Sequence, residues 1–76
     1  MKRFNVLLIW DADDRVWVAY VPTLGGLSTY GDTRDEVLER SREAILGYLE
    51  AAAKEGLDVP AGDAQAELAA VEVAVP

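Results

Sequence analysis

Three aspartates in four residues, Asp11-Ala12-Asp13-Asp14, form the densest cluster of chemistry-bearing side chains in the chain and the first place to look for a metal. A calcium loop beginning there would need an oxygen ligand at its fifth position and glycine at its sixth. Arg15 and Val16 occupy those positions, so the loop fails and a solvated turn is expected instead. Nucleophilic catalysis fails for a different reason. The sequence has no His and no Cys, so Ser41 has no imidazole to activate it, and no thiolate or imidazole ligand set exists. Gly25-Gly26 is not followed by Lys-Ser/Thr and does not open directly into a helix, which excludes a phosphate loop. Trp10 and Trp17 offer stacking faces to nucleobases. With 14 acids against 7 bases, however, the net charge of −7 opposes a nucleic-acid backbone and an anionic membrane surface and favours a basic partner. No catalytic, metal-binding or cofactor-binding residue is assigned, no cofactor is expected, and the chain does not read as an enzyme.

The elements around these residues follow from hydropathy. Residues 3–10 (RFNVLLIW) and 15–21 (RVWVAYV) are apolar on both strand faces, and the acidic turn between them makes a hairpin. Pro22 stops the second strand because it lacks a ladder donor. The Gly25-Gly26 turn then leads into a short third strand, Leu27 to Tyr30. Thr33-Arg34-Asp35-Glu36 fits a capping box, in which Glu36 would return to the backbone N–H of Thr33. From Arg34 to Glu55 the period changes to 3.6, with Val37, Ser41, Ala44, Ile45, Tyr48, Leu49 and Ala52 on one stripe. Gly47 interrupts that helix and suggests close backbone approach there, to the sheet or to a second subunit. Gly56 is a natural left-handed terminator, and Pro60 prevents resumption. After a polar linker at 61–66, residues 67–75 (ELAAVEVAV) alternate weakly and are expected to form a final strand. The predicted architecture is α+β, β-β-β-α-β, with a small sheet packed on one long helix. Residues 1–76 read as a single domain.

One helix covers only one face of a sheet. If Trp17, Ala19 and Val21 face the helix, then Val16, Val18 and Tyr20 are left over on the other side. A contiguous apolar patch of this kind marks a partner site. Val16, Val18 and Tyr20 are therefore the candidate protein interface, with Asp11, Asp13 and Asp14 as an electrostatic rim. Size points the same way. A chain of 8.2 kDa that is 51% hydrophobic buries only about 60% of its surface alone, and without disulfides or metal, oligomerisation is the remaining common reinforcement. A homo-oligomer, dimer or tetramer, is expected. The β-β-β-α-β order is also how ribonuclease-H-type nucleases begin. Those enzymes hold two metals on carboxylates, one of them within the first strand, and residues 4–10 contain no acid.

Residues 4–60 resemble the HicB family, the antitoxin half of HicA–HicB toxin–antitoxin pairs. The resemblance is carried by Trp17-Val18-Ala19-Tyr20-Val21-Pro22-Thr23-Leu24-Gly25-Gly26, then Gly31-Asp32-Thr33 opening a long helix that runs through Leu49-Glu50. The acidic hairpin at 11–14 and the Gly56 to Pro60 exit are similar too. The resemblance implies a partial ribonuclease-H-like fold without the nuclease carboxylates, homo-oligomerisation, and masking of a small basic HicA-like toxin that cleaves RNA. Where the family often has Asp-Leu-Pro-Gly-Cys in its turn, Thr23-Leu24-Gly25-Gly26-Leu27 stands here, a more mobile turn. Only 16 residues follow Pro60, so no C-terminal DNA-binding domain and no direct nucleic-acid contact are expected. The alternative is a solitary HicB-like oligomerisation or regulatory module with no toxin partner. With no basic leader and no apolar run of membrane-spanning length, the expected location is the cytoplasm.

Overall fold

The first two apolar runs do meet as a hairpin. A computed structural model of the chain describes residues 2–59 and 65–76. Strands β1 (Leu7–Asp11), β2 (Val16–Val21) and β3 (Leu27–Gly31) form one antiparallel sheet in the order β1-β2-β3, followed by helix α1 (Arg34–Lys54). This is the expected α+β arrangement of a small sheet on one long helix. The acidic segment is the hairpin turn. Asp11 Oδ1 accepts the N–H groups of Asp13 at 3.0 Å and Asp14 at 3.1 Å, the Asx pattern that makes aspartate a turn residue. Arg15 completes the turn in the left-handed region at φ 56°.

β1 begins at Leu7 rather than residue 3. Its register places Leu7 opposite Tyr20, so two steps further Asn5 would face Pro22. Proline has no N–H to donate, and the chain turns there into a single 3-10 turn, Pro22–Leu24. Gly25 and Gly26 follow at φ 67° and 78°, conformations that glycine adopts without steric cost. Residues 2–6 continue past the ladder without strand structure.

The helix is capped as its sequence requires. Thr33 Oγ1 accepts the N–H of Glu36 at 3.1 Å. The return bond differs from expectation: Glu36 Oε1 accepts the N–H of Asp32, at 3.4 Å, and also holds Arg40 at 3.0 Å. At the other end Leu57 N–H reaches Ala52 O at 2.9 Å and Gly56 N–H reaches Ala53 O at 3.2 Å. With Gly56 at φ 68° these two bonds make a Schellman stop. Ser41, on the buried stripe, donates its hydroxyl to Val37 O at 2.7 Å. The core is small. Ala19, Val21, Leu24, Val37 and Ala52 are its buried apolar residues.

Two expectations fail. Gly47 is exposed, and a Cβ built there meets nothing within 4 Å among the described residues, so the sheet does not approach it and only approach by a second subunit stays an expectation. The close approach is at Gly31, where a Cβ would stand 2.8 Å from Val37 N and 3.0 Å from Val37 Cα. Gly31 ends β3 only three residues before α1 starts, so the first helical turn folds directly back over it. The final strand is also absent: residues 65–76 carry no strand structure and are exposed throughout. Their alternation supplies one apolar side, but none of the three strands pairs with them, and a lone strand has no ladder to complete. Among the described residues the order is therefore β-β-β-α. Pro60 and linker residues 61–64 lie outside the described residues. The accessible surface is 6,210 Å², more than a third above the roughly 4,500 Å² of a compact monomer of this mass.

Candidate protein-binding face

Residues directly opposite in an antiparallel pair share a face. Ala19 and Val21 are buried to 0% and 2% exposure and so point to the helix. Their neighbours by parity, Val16, Val18 and Tyr20, point away from it, as the sequence predicts. The register extends that face in both directions. Leu7 stands opposite Tyr20, Ile9 opposite Val18 and Asp11 opposite Val16. On the far side Tyr30 stands opposite Val18 and Ser28 opposite Tyr20. No helix covers this surface, and Leu7, Ile9, Tyr20 and Tyr30 are all exposed.

At the hairpin end the face dips. Asp11, Asp14, Val16, Val18 and β3 residues 28–30 line a shallow depression of about 570 Å³. Four of the six sequence-derived residues therefore come together in one place, with Tyr20 one pair further along the same face. Asp13 does not line the depression. The reading from sequence omitted Leu7, Ile9, Ser28 and Tyr30. For Leu7 and Ile9 the signal was present, since odd-numbered positions of β1 share one side. Tyr30 needed the β2–β3 register, which depends on the length of the connection through Gly25-Gly26.

Tyr30 is the most exposed aromatic of the face and is also the best held. The Arg40 Nη1 donates to Tyr30 O at 3.0 Å, and its guanidinium lies 5.8 Å from the ring centroid. Glu36 fixes Arg40 from the opposite side. Arg40 thus ties the Tyr30 backbone carbonyl to the helix by a charge-assisted hydrogen bond and lies over the Tyr30 ring in a cation–π contact. On the helix side of the sheet Trp10 and Trp17 pack edge to face, with centroids 5.4 Å apart, as cross-strand partners.

The Asp11 carboxylate is engaged by the backbone of its own turn. Among the described residues no group of three or more His, Cys, Asp or Glu side chains is placed to hold a metal. None of their helices is long and apolar enough to cross a membrane. What remains is an apolar sheet face with two carboxylates at one end, on a chain of net charge −7.

Comparison with known proteins agrees with the resemblance carried by the hairpin and the helix entry. The family described as HicB-like antitoxin of bacterial toxin–antitoxin systems matches residues 4–73. UPF0150 protein Ta0767 of Thermoplasma acidophilum is 33% identical over 63 residues, which cover 83% of this chain and 90% of that protein. No solved structure matches the chain significantly. The family match spans both the sheet that carries the open face and the helix that leaves it open, and the chain belongs to the HicB-like antitoxin family.

Proposed function

We propose that this chain is a non-enzymatic antitoxin-type domain that oligomerises in the cytoplasm and masks a small, basic, HicA-like toxin that cleaves RNA. The observation that carries the reading is the uncovered sheet face of Leu7, Ile9, Val16, Val18, Tyr20 and Tyr30, bounded at the hairpin end by Asp11 and Asp14. Its apolar centre supplies desolvated contact area, and the positioned tyrosine is of the residue type that dominates interface energetics. The acidic end and the charge of −7 attract the basic surface with which such a toxin grips RNA, and speed its capture. In this reading the chain competes with RNA for the toxin and has no nucleic-acid contact of its own. Its sheet and helix are a partial ribonuclease-H-like framework used for binding.

The test uses a small, basic, RNA-cleaving toxin of the HicA-like kind. Its RNA cleavage is followed with increasing amounts of the wild-type chain and of the double variant Ile9→Asp, Tyr20→Asp, whose fold is checked by circular dichroism. Cleavage stops near stoichiometric wild-type chain and continues with the variant if the reading holds. Undiminished cleavage at a large excess of the wild-type chain rejects it.

A further inference from the structure

The open sheet face is not the only apolar surface without a cover. Residues 68–75 lie exposed with no secondary structure, and their large side chains are almost fully in water: Leu68 at 92%, Val71 at 84%, Val73 at 75% and Val75 at 81%. Val71, Val73 and Val75 recur at the period of a strand, with Glu72 between them on the opposite side. Such a segment has the pattern of a half-buried strand but none of the ladder that a strand needs.

The missing ladder exists elsewhere in the fold. In the order β1-β2-β3 the outer edge of β1 is unpaired, a ready template for another strand. Beside that edge the helix has moved off. It packs on β3 and β2 and leaves β1 aside, so an apolar groove of about 440 Å³ opens between Phe4 and Val6 on one wall and Leu38, Ile45, Leu46 and Leu49 on the other. Phe4 and Val6, just ahead of β1, line this groove with the helix residues, on the side of the sheet where Leu8 pairs with helix-facing Ala19. A strand added next to β1 with its valines on that parity would lay Val71, Val73 and Val75 over the groove and leave Glu72 on the wet side.

Residues 65–67 share a small surface pocket with Asn5. The segment therefore starts beside the edge of its own sheet, yet none of the chain's three strands pairs with residues 68–75. We propose that residues 68–75 are an exchanged strand: in a dimer, the segment of each copy lies along the outer edge of β1 of the other and closes its groove. The occupant is thus a second copy of this chain. One exchange caps two exposed edges at once by two-fold symmetry, since the same segment and the same groove are contributed by both copies. The added strand borders the face assigned to toxin beside Leu7 and Ile9 without covering it, so both contacts remain available together.

Because the segment pairs with none of the described strands and its large side chains are exposed, substitutions in it leave the fold of each copy intact. The full-length chain is prepared as an equimolar mixture of isotope-labelled and unlabelled copies, and filtered nuclear Overhauser contacts are recorded between Val71 or Val73 methyls and Phe4, Val6 or Leu49. Sedimentation is measured in parallel on the wild type and on Val71→Asp, Val73→Asp. Exchange gives contacts between differently labelled copies, and the double variant raises the dimer dissociation constant at least tenfold. Contacts seen only within uniformly labelled copies would mean closure on the chain's own edge and would overturn the proposal. Absence of those contacts, or a dimer constant unchanged in the double variant, would overturn it equally. Tyr20→Asp serves as the control: it abolishes toxin inhibition and keeps the filtered contacts, so failure of either idea is read independently.

Discussion

Two glycines make opposite predictions under the same substitution. Gly31 has an ordinary negative φ, so on conformational grounds alanine would stabilise the protein by about 0.4–1 kcal/mol through the unfolded chain. Contact opposes this. The new methyl would stand 2.8 Å from Val37 N and 3.2 Å from Glu36 C, and these are backbone atoms that cannot rotate aside. Either the first turn of α1 lifts from β3 or the end of β3 bends, and overpacking of this kind costs about 1–3 kcal/mol. Gly31→Ala is therefore expected to destabilise by about 1–2 kcal/mol. For a chain of this size that lowers the melting temperature by roughly 5–15 °C. Gly47→Ala meets nothing within 4 Å and gains about 0.8–1 kcal/mol of helix propensity, so its melting temperature rises by roughly 4–8 °C. The assay is thermal unfolding followed by circular dichroism at one fixed protein concentration, because oligomerisation shifts apparent stability by mass action. A Gly31→Ala chain that melts at or above wild type refutes the close approach of α1 to β3.

Substitutions at three further positions probe the local structure, each read by chemical denaturation. Thr33→Ala removes the acceptor of the Glu36 N–H and is expected to cost about 1 kcal/mol, whereas Thr33→Ser restores most of it. Asp11→Ala frees the Asp13 and Asp14 N–H groups and costs about 1 kcal/mol. Asp11→Asn keeps an acceptor oxygen and stays within about 0.5 kcal/mol of wild type, while a carboxylate needed for its charge would not tolerate the amide. Arg15→Gly relieves the left-handed conformation at φ 56° and gains about 0.5 kcal/mol, the saving in strain being partly offset by the freer unfolded chain.

What was legible in the sequence was what local chemistry decides. Pro22 stops β2, Thr33 caps α1 and Gly56 ends it because each acts within a few residues of its own position. The helix-averted side of β2 was legible by parity, once Ala19 and Val21 were assigned to the helix. Features that need a partner distant in sequence were not legible. β1 starts at Leu7 because Pro22, across the register, offers no donor to Asn5. The close-approach glycine is Gly31 and not Gly47, because the helix folds back over the end of β3 and leaves its own middle in solvent. Tyr30 joins the open face only through its pairing with Val18, and Arg40, ten residues further on, bonds its carbonyl. The alternation at 71–75 is strand-like, but a strand exists only where an edge meets it, and the sequence does not say whose edge that is.

In the proposed function the sheet face turned from the helix takes the toxin. Methyl cross-saturation from an unlabelled small basic toxin to the labelled chain measures that contact directly. Strong attenuation is expected at Leu7, Ile9, Val16 and Val18, with the methyls of the buried core residues Leu24 and Val37 unaffected. Saturation confined to α1 or to residues 68–75, with the open sheet face unperturbed, would contradict it.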